Sequence, residues 1–216
     1  MNISNYGKPG YGQVQALLFL MEAIERDEKP DYFIVNYIPL HDERNTMNNS
    51  FRQKFKMGYE ITMKNHSSFK NANYNYPSAL ILNDKLKLKQ INTKEIYNHF
   101  PLREKSTLIN KFENIYNKLQ VNEIKDIMVT KKLFSKINEL CHQNKIKLIV
   151  TYMDNSASTQ EISTHCQSLG IKTIDISVDF NNSIYTNYPY DSHPSRLAHQ
   201  IFAEKLAPHL NSISLN

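Results

Sequence analysis

Apolar positions along this chain recur at two periods. Val14, Leu17, Leu18, Met21 and Ile24 fall three or four residues apart, which places one apolar face on a helix running from about Gln13 to Arg26. The charged stretch "ERDEKPD" ends that pattern and "YFIVNYI" follows it. Short, β-branched and aromatic, this run reads as a buried strand over 32–38. A Gly-rich turn, a helix and a buried strand in that order mark an α/β crossover unit. "IKLIVTYM" and "KTIDIS" read as two further buried strands. Between them lies the helix "TQEISTHCQSLG", with Gly170 as its C-terminal stop. An amphipathic helix after "DSHPS" closes the pattern.

The middle of the chain is less regular. "PLHDERN" reads as a Pro-containing turn. Residues 46–78 are rich in Asn and Tyr and predict irregular structure with one short helix near "SFRQKFKM". "SALILNDKLKLKQI" alternates on both sides of "ND", the pattern of a small hairpin. From about Leu102 to Asn144 two helical patterns meet near Val121. Their stripes are Ile109, Phe112, Ile115, Tyr116 and Leu119, then Ile124, Ile127, Leu133, Phe134, Ile137 and Leu140, and both are expected to face the core. The expectation is one α/β domain over 1–216, with 46–100 as an elaboration.

Composition narrows the function classes. With 216 residues, 40% apolar and 22% charged, the chain is globular and long enough for one core. The net charge is +5, but the lysines are scattered, and the one dense run, "NDKLKLKQ", alternates like a strand. No basic stripe with a recognition motif results, so nucleic acid is not an expected partner. No run reaches the ~18 apolar residues that span a bilayer. "MNISNYGKPGYG" has neither the basic start nor the apolar centre of a signal peptide, so the chain as written is expected in the cytoplasm. Cys141 and Cys166 stand in "CHQ" and "THC", which match no zinc spacing. Neither metal nor cofactor is expected, and both thiols are expected to be buried or half-buried, with a disulfide between them left open.

Candidate chemistry concentrates in "YPYDSHPSRLAHQIFAEKLAPHL". Asp191 and His193 stand at the mouth of the last helix, with Pro194 and Ser195 at its start. In an open parallel sheet, ligands bind at the carboxyl ends of the strands. Three polar clusters belong to that rim: Asn5–Gly12, "LHDERN" and "DSHPS". Such a scaffold can bring together a His, an Asp and backbone N–H donors, the set that acyl transfer requires.

These blocks carry a family resemblance. "NYGKPGYGQVQALLFLMEAIERDEKPDYFIVNYIPLHDERN" resembles the N-x-G-x-x-G … ND segment of SGNH (GDSL-type) hydrolases. "DSHPSRLAHQIFAEKL" is similar to that family's closing D-x-x-H-P block, and "YPSALILNDKLKLKQ" to a hairpin inserted in members related to carbohydrate O-acetyl esterases and acyltransferases. The resemblance implies a flavodoxin-like three-layer α/β/α fold and an ester substrate, small or carbohydrate. It makes His193 the general base and Asp191 its carboxylate partner, although the family places that carboxylate one residue earlier, where this chain has Tyr190. Gly10 matches the backbone oxyanion donor. Asn5 belongs to the same loop. His41, followed by Asp42, stands where the family has a donor Asn. His199 matches a structural helix position.

The family's first block, a strand followed by Gly-Asp-Ser, should precede "NYGKPGYG", yet four residues stand before Asn5. Ser4 is misplaced for a nucleophile turn, and Ser156 in "VTYMDNSAS" would need a permuted topology. The expectation is therefore a sheet lacking the usual first strand, completed by a partner or another segment, and impaired ester hydrolysis without a covalent step. The alternative is a non-catalytic carbohydrate-binding or protein-interaction module on the same scaffold.

Overall fold

The computed structural model describes residues 3–8, 10–65 and 74–214; within helices, the side chains of 62–65, 124 and 211–214 lie outside the description. The chain groups into two compact units, Met1–Pro39 with Phe134–Asn216, and Leu40–Leu133.

The first unit is an α/β layer structure. Helix α1 (Gln13–Glu25) leads into β1 (Tyr32–Tyr37), close to the expected bounds. The later part of α5 (Glu123–Gln143) feeds β4 (Lys147–Tyr152), followed by α6 (Ala157–Ser168), β5 (Lys172–Asp175) and α7 (Arg196–Ser214). The strands form a parallel sheet in the order β1-β4-β5. Ile34 lies opposite Ile149, and Thr151 opposite Ile174.

Because side chains alternate across a strand, the sheet has two different faces. One face carries Ile149 and Ile174, which pack with Ala198 and Phe202 of α7. The other carries Tyr37, whose ring meets Phe134 of α5 at 6.2 Å, and Tyr152 beside Cys166 of α6. Helices therefore flank both faces, an arrangement compatible with a three-layer α/β/α fold. Phe134, Ile137 and Ile162 are fully buried, each contributing about 1.5–3 kcal/mol. β1 is an edge strand, and among the described residues no further strand pairs with it.

The second unit departs more from the sequence pattern. The expected turn "PLHDERN" contains a short helix, α2 (Leu40–Thr46), and the expected short helix becomes α3 (Asn49–Asn65). The hairpin is present as β2 (Asn75–Leu82) and β3 (Lys85–Asn92). Asn83 and Asp84 both have positive φ, 50° and 58°, the left-handed pair that a two-residue hairpin turn requires. Met47, Ile96 and Tyr97 form its core with Phe51, Phe55 and Tyr76 around them.

One expectation is overturned in α4 (Thr107–Leu119). Phe112, Ile115, Tyr116 and Leu119 are exposed, while Glu113 and Asn117 are buried. The helix has its polar face inward because Glu113 finds partners there. Its Oε1 accepts from Tyr97 Oη at 2.9 Å and Phe100 N at 3.1 Å, and Oε2 lies 3.2 Å from Arg103 Nε. Asn117 donates to Gln53 Oε1 at 3.0 Å and to Tyr97 Oη at 2.6 Å. The stripe of α5 behaves as expected at Ile127, Leu133, Phe134 and Ile137, whereas Leu140 is only half-buried; the side chain of Ile124 lies outside the description.

Candidate active site

The loop after β5 begins at the sheet's carboxyl rim and ends at α7. Its backbone is tied at several levels. Asn187 N donates to His193 O at 2.9 Å, Ser195 N donates to Tyr185 O at 2.9 Å, and Tyr190 N donates to Asn187 O at 3.0 Å. Ser195 Oγ donates to Ile184 O at 2.6 Å and accepts from Ala198 N at 3.3 Å. One hydroxyl thus both caps α7 and pins the loop. The loop's backbone is thereby fixed while its acidic and basic side chains stay in solvent.

Asp191 and His193 come together on this loop. Asp191 Oδ1 accepts the His193 backbone N–H at 2.9 Å and lies 3.3 Å from His193 Nδ1. The first of these contacts is an Asx turn, so a purely local interaction aims the carboxylate at the ring. The same backbone hydrogen bond is the main reason the Asp191 carboxyl is held below the usual carboxylate range, with the His193 ring contributing less. The His193 side chain is 80% exposed. With Nδ1 directed at Asp191, Nε2 is left toward solvent, the orientation a general base needs. No serine hydroxyl is hydrogen-bonded to His193 among the described residues.

The glycine loop stands on the same rim of the sheet. Gln13, the first residue of α1, is fully buried and its Nε2 donates to Asn36 O at 3.0 Å, which puts the start of α1 beside the carboxyl end of β1. Gly10 has φ +81° in the Lys8–Tyr11 turn, where Tyr11 N donates to Lys8 O at 3.2 Å. A Cβ there would meet nothing within 4 Å, so glycine is needed for its backbone conformation alone. Asn5 has a local role: its Oδ1 accepts from Gly7 N at 2.9 Å. Tyr6 and Tyr11 both rest on Phe19 of α1, at 5.4 and 5.9 Å.

His41 and Asp42 belong to α2, in the second unit. Burial, and to a lesser degree the Arg44 charge, pull the His41 imidazole down to about 3, so it is neutral at physiological pH. Asp42 Oδ1 accepts from Thr130 Oγ1 at 2.6 Å, a tie to α5. Ser156 caps α6, with its Oγ accepting from Thr159 N at 3.3 Å. It is occupied in that structural role. His199 packs its ring against Phe202 at 5.6 Å.

The sequence pattern does not reveal a polar network on the rim. Thr151 Oγ1 donates to Asn36 Oδ1 at 3.0 Å, and Asn36 Nδ2 donates to Met153 Sδ at 3.0 Å. Asn155 Nδ2 donates to Ser177 Oγ at 2.8 Å, and Lys205 Nζ to Ser177 O at 2.6 Å. The one sequence signal for it is Asn36, an amide inside an otherwise apolar strand. Both cysteines are free and buried, and burial pushes Cys141 up to about 11 and Cys166 to about 12. Neither supplies a thiolate nucleophile at neutral pH. No group of His, Cys, Asp and Glu able to hold a metal ion occurs among the described residues, and no described helix is long and apolar enough to cross a membrane.

Comparisons with protein-family models, curated proteins and solved structures find no match to this chain.

Proposed function

We propose that the Asp191–His193 pair is the carboxylate and general base of an SGNH-type site acting on small or carbohydrate O-acyl esters, with low efficiency because among the described residues no serine hydroxyl is hydrogen-bonded to His193. The observation that carries this reading is the 3.3 Å approach of Asp191 Oδ1 to an otherwise solvent-facing His193 ring, on the loop that leaves the last parallel strand. In this reading His193 Nε2 takes a proton from water as the water oxygen bonds to the ester carbonyl carbon. The family resemblance makes the Gly10 loop the place of the resulting oxyanion. Collapse breaks the bond to the alcohol oxygen, which recovers the proton from the imidazolium, leaving acid and alcohol.

The test is p-nitrophenyl acetate turnover by the purified chain. Slow turnover that disappears in His193→Ala and persists after treatment with a serine-directed phosphonate supports the proposal. Turnover equal in His193→Ala, or blocked by the phosphonate, sinks it.

One observation favours a second reading, a non-catalytic carbohydrate-binding module. The second unit has an open groove of about 940 Å³ in which the amides of Gln53, Asn110 and Asn114 lie among charged side chains that include Glu43, Arg103 and Lys118. Planar amides of this kind, linked here from Gln53 to Asn114 to Asn110 at 2.9 Å each, match the paired hydroxyls of a sugar. Binding of a neutral oligosaccharide that survives His193→Ala but fails in Asn114→Ala would favour this module.

A further inference from the structure

The apolar stripe on α4 has no role in either reading, although Lys118 beside it also lines the groove. Leu108, Phe112, Ile115 and Leu119 are spaced 4, 3 and 4 residues apart and are between 56% and 76% exposed. That is the a/d seam of a helix pair, carried through two heptads with no polar interruption. Tyr116 is exposed alongside it. An isolated surface leucine is ordinary, but a contiguous stripe of four large apolar side chains is the signature of a covered surface. The buried face of the helix is occupied by Glu113 and Asn117, and turning the stripe inward would expel both from their partners. The exposure is built in.

Charge decides the occupant. Lys111 and Lys118 flank the seam one heptad apart, and both are exposed. Neither side chain forms an ion pair or hydrogen bond among the described residues. No acidic side chain stands at an exposed flanking position of the seam. In an antiparallel pairing of two copies these lysines would confront each other, and the net charge of +5 opposes self-association generally. A bilayer surface favours lysines on both sides of a wide apolar arc; here they line one side of a narrow one. We infer that α4 docks an amphipathic helix from another protein, with apolar residues at 3–4 spacing and Glu or Asp along the flank that meets Lys111 and Lys118.

The probe is a synthetic helical peptide of roughly three heptads with Leu at a and d and Glu at e and g, whose like charges keep it from pairing with itself. Its counterpart has Lys at e and g. Titration of the whole chain into labelled peptide, read by fluorescence anisotropy, is expected to show saturable binding to the acidic peptide only. Phe112→Ser combined with Leu119→Ser should abolish it, at an unchanged melting temperature since both sites are in solvent. Lys111→Glu combined with Lys118→Glu should weaken the acidic peptide about tenfold or more and create binding to the basic one. Four results would overturn the inference: no saturable binding, equal binding of both peptides, a dimer in sedimentation that Phe112→Ser dissolves, or sedimentation with phosphatidylserine vesicles lost in the same variant. The last two would assign the face to a second copy or to a membrane.

Discussion

Removing the Glu113 carboxylate tests whether the inverted orientation of α4 rests on its buried polar face. Glu113 is fully buried and Arg103 retains 11% side-chain exposure. In Glu113→Ala the Arg103 guanidinium is deprived of its carboxylate, and Tyr97 Oη and Phe100 N of the oxygen they share. Breaking one partner of a buried ion pair costs about 3–5 kcal/mol, because the remaining charge stays desolvated. The two hydrogen bonds belong to the same network, so their removal is contained in that figure and not added to it. Glu113→Gln keeps an acceptor for Tyr97 and Phe100 and removes only the charge opposite Arg103; about 1.5–3 kcal/mol is expected. Replacing both members, Glu113→Leu with Arg103→Met, should recover most of the stability, since an apolar pair needs no desolvation of charge. Urea denaturation followed by circular dichroism gives all four free energies. A cost below about 1 kcal/mol for Glu113→Ala would refute the reasoning, because surface substitutions reach that range without any buried network. So would a double variant less stable than Glu113→Ala, which would make packing, not charge pairing, the source of the destabilisation.

Two further outcomes follow from the second unit. His41 has its folded value pulled down to about 3 from an ordinary value near 6.5, so below pH 6.5 the unfolded chain takes up a proton that the folded chain refuses. The stability associated with the neutral ring is complete above that pH and declines through the window from 6.5 to about 3, with a slope of at most about 1.4 kcal/mol per pH unit; His41→Gln should flatten the profile over that window, and an unchanged slope would remove His41 as its cause. Leu102 has φ 65° and is 62% exposed, while its carbonyl accepts from Lys105 N at 2.9 Å and Ser106 N at 3.0 Å. Leu102→Gly relieves the left-handed strain and removes a side chain that lies mostly in solvent, so a gain of about 0.5–1 kcal/mol in urea denaturation is expected, a measured decrease ruling the strain out.

By itself the sequence determined the elements whose signal is local. The runs at 32–37, 147–152 and 172–175 are strands because a short buried β-branched segment has few other stable forms. The hairpin followed from alternation around Asn83 and Asp84, whereas the partnership of Asp191 with His193 was an implication of the family resemblance alone, and the Asx turn that brings them together is seen only in the structure. Tertiary structure decided what periodicity leaves open. A 3.6-residue repeat shows that α4 is amphipathic but is symmetric as to which face turns inward. The choice fell to Tyr97, Phe100 and Arg103, which supply Glu113 with partners from 10 to 16 residues away. The rim network joining Asn36 to Thr151 spans 115 residues, and α2, read as a turn, is a helix tied to α5 through Asp42 and Thr130. The physical reason is common to these cases. A buried polar group is stable only where partners reach it, and which partners arrive is a property of the folded chain.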